Sequence, residues 1–312
     1  MISDVYRNVQ DLLNKNNFGF LTPMSFNQYA KSAQLELFTD YFSNYNKQVN
    51  LENARRSGTD YADLKKKIEE DIERFLVNNF LKRSSSNIFY QPSLTTTGDE
   101  MFRFNKVLIY STELDSGTNT SVTANRLVDS GATFVTTGVS ANDIVVNTTA
   151  NTTARVTSVV SNTQLALTSN IFTTTSQGYL IISGESPKEA EKVTNSKITL
   201  LNNSLQTAPN TTYPAYVQDG STITVYPSTI DAYGQVLASY FRFPYDPKWT
   251  YVTLVNGTPV FDATQSDYQD FEVANDEYVN LVIKICQYAG LEIREQQVIN
   301  YAKNEEIENK QQ

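Results

Sequence analysis

Two Asp-Ser-Gly triplets, Asp115-Ser116-Gly117-Thr118 and Asp129-Ser130-Gly131-Ala132, come nearest to a catalytic pattern in this 312-residue chain. Acid–base hydrolysis by such loops needs two carboxylates about 3 Å apart sharing one proton. The triplets lie 14 residues apart rather than in separate halves of the chain, and Asp-Ser-Gly is also a common β-turn, which is the reading preferred. Histidine is absent, so a Ser-His-Asp or Cys-His pair and a His-ligated zinc or haem are excluded. The single cysteine, Cys286, allows no internal disulfide and reads as a buried small hydrophobe. Asp262, Asp267, Asp270 and Glu272 lack the Asp-x-Asp-x-Asp-Gly order of a calcium loop and read as a cap-rich approach to the last helix. No Gly-rich phosphate loop is present. These counts imply no cofactor, no metal and no enzyme.

Binding chemistry is better represented. The run Phe241-Arg242-Phe243-Pro244-Tyr245-Asp246-Pro247-Lys248-Trp249-Thr250-Tyr251 concentrates aromatics between prolines. Such a segment makes a docking ridge that loses little entropy on binding, with Phe241, Phe243, Tyr245 and Trp249 as anchors; it is equally a strand end packed on a core. Arg55-Arg56 and Lys65-Lys66-Lys67 form a local basic group, either a solvated helix face or a contact for an acidic partner. With a net charge of −9, broad nucleic-acid binding is not expected, because that requires phosphate neutralisation by Lys and Arg. No apolar run approaches the ~18 residues of a membrane span, and Met1–Val5 carries no secretory signature, so a membrane partner is not expected either.

The elements that must position these residues follow from periodicity. Residues 1–90 read as helical. Ser3 caps a helix with Val5, Val9, Leu12 and Leu13 on one face, ended by Asn14–Asn17 and Gly19. Ser25 caps a second helix carrying Phe26, Tyr29, Ala30, Ala33, Leu37, Tyr41 and Tyr45. Thr59 or Asp60 starts a third, with Tyr61, Leu64, Ile68, Ile72, Phe75 and Leu76 on one stripe. From about residue 87 the period changes to two, beginning with a strand over 101–110. In 111–186, 35 of 76 residues are Ser, Thr or Asn, and short alternating runs recur: 132–135, 143–147, 154–160, 164–168 and 179–182. That spacing predicts a small antiparallel barrel or sandwich, inserted between segments of different composition. Strands resume over 197–201, 221–226 and 236–243. Asn275 or Asp276 caps a last long helix with Tyr278, Leu281, Val282, Ile285 and Ala289 inward and Gly290 just beyond its end. A shorter helix with Val298, Ile299 and Ala302 and a polar tail, Asn304–Gln312, complete the chain.

Several stretches resemble the ring, or head–tail adaptor, proteins of crAss-like short-tailed bacteriophages: residues Asn14-Lys15-Asn16-Asn17-Phe18-Gly19-Phe20-Leu21-Thr22-Pro23-Met24-Ser25-Phe26-Asn27, Ala33-Gln34-Leu35-Glu36-Leu37-Phe38, Arg242–Trp249 and Gly290-Leu291-Glu292-Ile293. Residues Asp129–Val145, continuing to Asn170-Ile171-Phe172, are similar to a small β module found in many phage structural proteins. The resemblance implies a virion protein of the neck and tail, present in the bacterial cytoplasm during assembly. It implies a ring, usually of twelve copies, that joins the capsid portal to other neck or tail proteins and lines the path of the exiting genomic DNA.

The expected fold class is α+β: a discontinuous helical domain (1–90 plus 272–312), an inserted antiparallel β domain (91–110 plus 187–271), and a further Thr/Ser/Asn-rich β module (111–186). The alternative function is a virion or surface module that binds a host glycan or protein through the Thr-rich region. Charge is uneven, net +1 over 1–90, −3 over 91–190 and −7 over 191–312, which suits head-to-tail contact between copies as well as ordinary drift.

Overall fold

The computed structural model describes residues 1–14, 21–55, 64–255 and 257–293. Three helices come first, α1 (Ile2–Asn14), α2 (Pro23–Arg55) and α3 (Leu64–Glu73). Thirteen strands follow: β1 (Leu76–Phe80), β2 (Arg83–Ser85), β3 (Ile88–Tyr90), β4 (Met101–Ile109), β5 (Glu113–Thr118), β6 (Ser121–Thr123), β7 (Arg126–Val128), β8 (Ile144–Asn147), β9 (Thr152–Ser161), β10 (Gln164–Leu167), β11 (Gly178–Ile182), β12 (Lys188–Glu189) and β13 (Glu191–Lys192). Helix α4 (Asn195–Asn202) precedes β14 (Ala215–Asp219), β15 (Thr222–Tyr226), β16 (Val236–Arg242), β17 (Tyr251–Thr253) and β18 (Pro259–Phe261). A 3₁₀ turn, Asn275–Glu277, leads into α5 (Tyr278–Ile293). The chain divides into two compact units, residues 1–75 with 243–312, and residues 76–242.

The first unit is helical, with the β17–β18 hairpin attached. In α1, Ile2, Val5, Val9 and Leu13 are buried, whereas Leu12, expected on the same face, is 40% exposed. Ser3 lies inside α1; the Ile2 N–H is instead satisfied by Asp270 Oδ1 at 2.8 Å. Helix α2 starts two residues before the expected cap. The Thr22 hydroxyl accepts from the Ser25 N–H at 3.2 Å, and Pro23 takes the first helical position, where its missing N–H costs nothing. Helix α5 runs through Gly290, so that glycine does not end it. The expected cap at Thr59 or Asp60, the residues 15–20, the helix near Val298 and the tail from Asn304 lie outside the described residues.

The second unit is built of β-sheets. A four-stranded sheet, β1-β16-β4-β12, shares a core with a five-stranded sheet, β13-β14-β15-β3-β2; Phe89, Val107, Ile223, Val225, Val236, Ala238 and Tyr240 fill it. All pairs are antiparallel except β13 with β14. A seven-stranded sheet, β5-β11-β8-β9-β10-β7-β6, lies within 113–182. Strands β11 and β8, second and third from the β5 edge, are covered on both faces. Val145 and Ile181 point into the sheet's own core with Phe134, Phe172 and Leu165. Ile144, Val146, Leu180 and Ile182 point the other way, onto Tyr110, with Phe80, Leu108 and Leu237 packed around them. Burial on both faces explains why these strands read as unbroken apolar runs.

The fold class is mixed α+β, and four particulars differ from expectation. No sheet closes into a barrel among the described residues; the seven strands end at β5 and β6. Residues 76–90 form strands, because Leu76–Phe80 pairs with Phe241–Leu237 and ends the helical stripe after Phe75. Residues 197–201 are helical: Thr194 caps α4 by accepting from the Lys197 N–H, and Ile198 is buried with Leu201 packed beside it. Residues 132–135 form turns rather than a strand, with Phe134 fully buried.

Where the seven-stranded sheet meets the rest of its unit, the approach is close enough to require a glycine. Gly234 has φ +83°, and a Cβ there would sit 2.6 Å from Val146 Cγ2. Gly220 has φ +52° with open space around it. Gly234→Ala is expected to cost about 1 kcal/mol for the left-handed backbone plus a further ~1–3 kcal/mol for overpacking, whereas Gly220→Ala carries only the first cost. Urea denaturation of the two variants measures the difference.

Candidate interaction surface

Along α2, Asn27, Lys31, Gln34 and Phe38 follow each other at four, three and four residues, so they share one helical face. The proline-rich segment runs antiparallel along that face, and each helix residue holds one of its residues. Asn27 Oδ1 accepts from the Trp249 N–H at 2.8 Å, and its Nδ2 donates to the Trp249 carbonyl at 3.2 Å. Lys31 Nζ lies 2.7 Å from Asp246 Oδ2. Gln34, 1% exposed, donates to the Tyr245 carbonyl at 2.8 Å and accepts from the Glu272 N–H at 3.0 Å. Glu272 in turn accepts from the Tyr245 N–H at 2.7 Å. Phe38 packs on Phe243 with ring centroids 5.8 Å apart.

This ladder decides the status of the proposed anchors. Trp249 is 3% exposed and stacks on Tyr6 at 4.2 Å, Tyr251 at 5.7 Å and Phe261 at 5.9 Å. It fills the interior of its own unit and presents no docking face, a correction to the anchor reading. Its indole Nε1–H is buried without an acceptor among the described residues. Phe243 is half-buried against α2, and Phe241 is a half-buried residue of β16 opposite Leu76 and Arg103. Tyr245, its backbone fixed on both sides, keeps a ring that is 41% exposed. Arg55 ends α2, and Arg56 lies outside the described residues.

The structure brings the two Asp-Ser-Gly triplets to one tyrosine, and each carboxylate binds local backbone through one oxygen. Asp129 Oδ1 accepts from the Gly131 N–H at 2.9 Å, and Oδ2 accepts from the Tyr179 hydroxyl at 2.8 Å. Asp115, in a strand rather than a turn, accepts from the Ser116 N–H at 2.8 Å. Burial, then the bond to Asp129 and the charge of Asp115, push the Tyr179 hydroxyl far above its ordinary range. A Tyr179 proton on Asp129 is a fixed structural bond, not a proton shared between two carboxylates.

The remaining candidates are equally engaged. Burial pushes the Cys286 thiol up to about 12, so it is not a nucleophile at neutral pH. Asp262 accepts from the Thr264 hydroxyl and N–H, which hold its carboxyl below the usual range. Asp267 pairs with Lys248, which does the same. Asp270 serves α1 rather than α5, and Glu272 serves Tyr245. No group of three or more His, Cys, Asp or Glu is placed to hold a metal among the described residues. Lys284 on α5 is 4% exposed and lies 2.8 Å from Glu36 Oε1 and 3.4 Å from Asp40 Oδ2, fixing α5 to α2.

Two exposed apolar features lay beyond sequence reasoning. The β17–β18 hairpin shows Val252, Leu254, Val255 and Val260 at 45–110% exposure. An open groove of about 670 Å³ between α1 and α5 is lined by Asn8, Asp11, Leu12, Tyr278, Val279 and Val282. Adjacent leucines at 12 and 13 carried the signal for the groove, since both cannot lie at the centre of one buried stripe.

Comparison of the chain with protein-family models and with curated proteins gives no match.

Gln34→Leu removes the hydrogen bonds to the Tyr245 carbonyl and from the Glu272 N–H and is expected to cost about 1–3 kcal/mol, whereas Lys31→Ala, at an exposed pair, costs at most about 1 kcal/mol. Chemical denaturation checks both. Asp71 tests the electrostatics of the helical unit. Its carboxyl is raised from 3.8, first by burial and then by Asp276, with Arg74 and Lys67 opposing. A raised carboxyl binds its proton more tightly in the folded state, so its ionised form opposes folding above the folded value, and the penalty vanishes as pH falls to 3.8. Asp71→Asn is therefore expected to melt higher than the parent at pH 7, with the gain shrinking towards pH 4 in a thermal-shift series.

Proposed function

We propose that this chain is a structural protein of a phage virion, a connector that assembles as an oligomeric ring between the capsid portal and the tail and lines the genome exit path. One observation carries the reading. Sequence stretches from opposite ends of the chain that resemble the ring proteins, Leu21–Asn27 and Ala33–Phe38 on one side and Phe243–Trp249 on the other, grip one another residue by residue. A shared motif whose parts meet only in the folded protein is a property of a scaffold. The acidic balance of −9 suits a wall past which DNA slides without adhering. No helix among the described residues is long and apolar enough to cross a membrane.

The alternative, a host-binding module in 111–186, has less to support it. Glycan binding uses exposed aromatic platforms, and the three aromatics of this region, Phe134, Phe172 and Tyr179, are 0%, 0% and 3% exposed.

Mass photometry of the purified protein, alone and with the portal of the same phage, tests the proposal. A species near twelve subunits, or a monomer that becomes a ring on the portal, is expected. A monomer or trimer indifferent to the portal overturns it.

A further inference from the structure

The apolar hairpin and the apolar groove belong to one unit, and α1 separates them. Trp249 roots the hairpin: it stacks on Tyr251 and Phe261 from the two strands and on Tyr6 of α1. At 3.6 residues per turn, Tyr6 lies on the side of α1 opposite Asn8, Asp11 and Leu12, which line the groove. A copy's hairpin is therefore rooted on one side of α1 while its groove opens on the other.

Resting on the connector reading, we infer that the β17–β18 hairpin of one copy seats in the α1/α5 groove of the next. The shapes and chemistry correspond. Val252 and Val260 pair across the hairpin and share a face with Leu254, while Val255 stands at the tip, 110% exposed. The groove offers Leu12 at 40% and Val279 at 58% exposure, with Val282 beneath. Removal of one large apolar side chain leaves a cavity of about 150 Å³, so a groove of about 670 Å³ takes roughly four aliphatic side chains. The hairpin presents four.

Area identifies the occupant as a second copy within a closed assembly. These four side chains expose the equivalent of about two and a half apolar residues, on the order of 300 Å². That is the size of the largest apolar patch on an ordinary monomer, which is often functional. It falls short of the roughly 800 Å² per partner that holds an independent pair together. A heterologous contact that closes into a ring gives every copy two such interfaces, one through its hairpin and one through its groove, so a contact too small for a dimer suffices for a ring. No third strand joins β17–β18 among the described residues, and an isolated two-stranded hairpin is marginal in water; seating it in a groove supplies the missing cover.

The test uses full-length protein with single substitutions on each side. Val255→Asp and Val279→Asp lie on the surface and should leave the melting temperature unchanged while weakening ring assembly by about tenfold or more in mass photometry. Val255→Cys and Val279→Cys proteins, mixed under mild oxidation, should cross-link into dimers that neither forms alone, and a chain carrying both should give a ladder of oligomers. Rings that form normally from both Asp variants, without the mixed cross-link, overturn this contact and leave the connector reading standing. Normal rings from Val255→Asp that no longer bind portal make the portal the occupant and also overturn it. A Val255→Cys protein that cross-links to itself shows hairpin against hairpin, which overturns the contact as well. If no oligomer forms with or without portal, the connector reading falls, and the mixed cross-link alone decides the contact: its presence upholds it and its absence overturns it.

Discussion

The helical unit depends on the clamp that α2 places on residues 243–249. The chain leaves this unit after Phe75 and returns at Phe243, so nothing local holds the two parts together. Asn27 and Gln34 solve the problem with paired bonds to backbone. Each side-chain amide offers a donor and an acceptor, and each matches a backbone carbonyl and N–H that have no ladder to join. The buried Gln34 is the critical member, because it bonds two backbone groups, the Tyr245 carbonyl and the Glu272 N–H, out of water. The Lys31–Asp246 pair, exposed on both sides, adds register rather than much energy. With the clamp in place, Trp249 is delivered onto Tyr6, and the hairpin gains a root.

The inserted unit uses a different device. Its Thr, Ser and Asn residues look like the composition of a disordered linker, but many of them terminate backbone. Asn147 Oδ1 accepts from the Thr149 and Ala150 N–H groups while its Nδ2 donates to the Ile171 carbonyl at 2.8 Å. Asn119 accepts from the Gln177 N–H at 2.7 Å and donates to the Thr174 carbonyl at 2.8 Å. Short strands leave many loop groups unpaired, and small polar side chains satisfy them without enlarging the core. The apolar residues then concentrate in β8 and β11, whose two faces serve two cores.

What the sequence made legible follows the range of the forces involved. Strands β10 and β15 alternate because one face is buried, and that alternation is local. The inward residues of α5 from Leu281 to Ala289 are legible for the same reason. Strands β5 and β6 were not, because Glu113–Thr118 and Ser121–Thr123 carry no apolar alternation and are strands only through their pairing with β11 and β7. Lys197–Leu201 misled in the opposite sense: its Ile-Thr-Leu sequence suits a strand, and the deciding fact, the Thr194 cap, is one hydrogen bond. The aromatic run 241–251 was legible as a special segment but not as an internal one, since only α2's spacing shows what it fits.

The same spacing explains why the candidate surface lies where it does. Most of the residues singled out for chemistry or docking are engaged within the chain. Asp129, Asp262, Asp270 and Glu272 accept from backbone or hydroxyl groups, and Trp249 is enclosed. A polar or aromatic group that closes a turn or fills a core is not free to meet a partner as well. Among the described residues of the helical unit, a projecting hairpin and a recessed groove are exposed, apolar and distinct in shape, and they lie on opposite sides of one helix. An isologous pair would need one patch complementary to itself. Under the proposed contact, two different patches facing apart would relate successive copies by a rotation, and a rotation that closes is a ring. In the proposed ring, the clamp on α2 would set that rotation by fixing the hairpin's root on one side of α1.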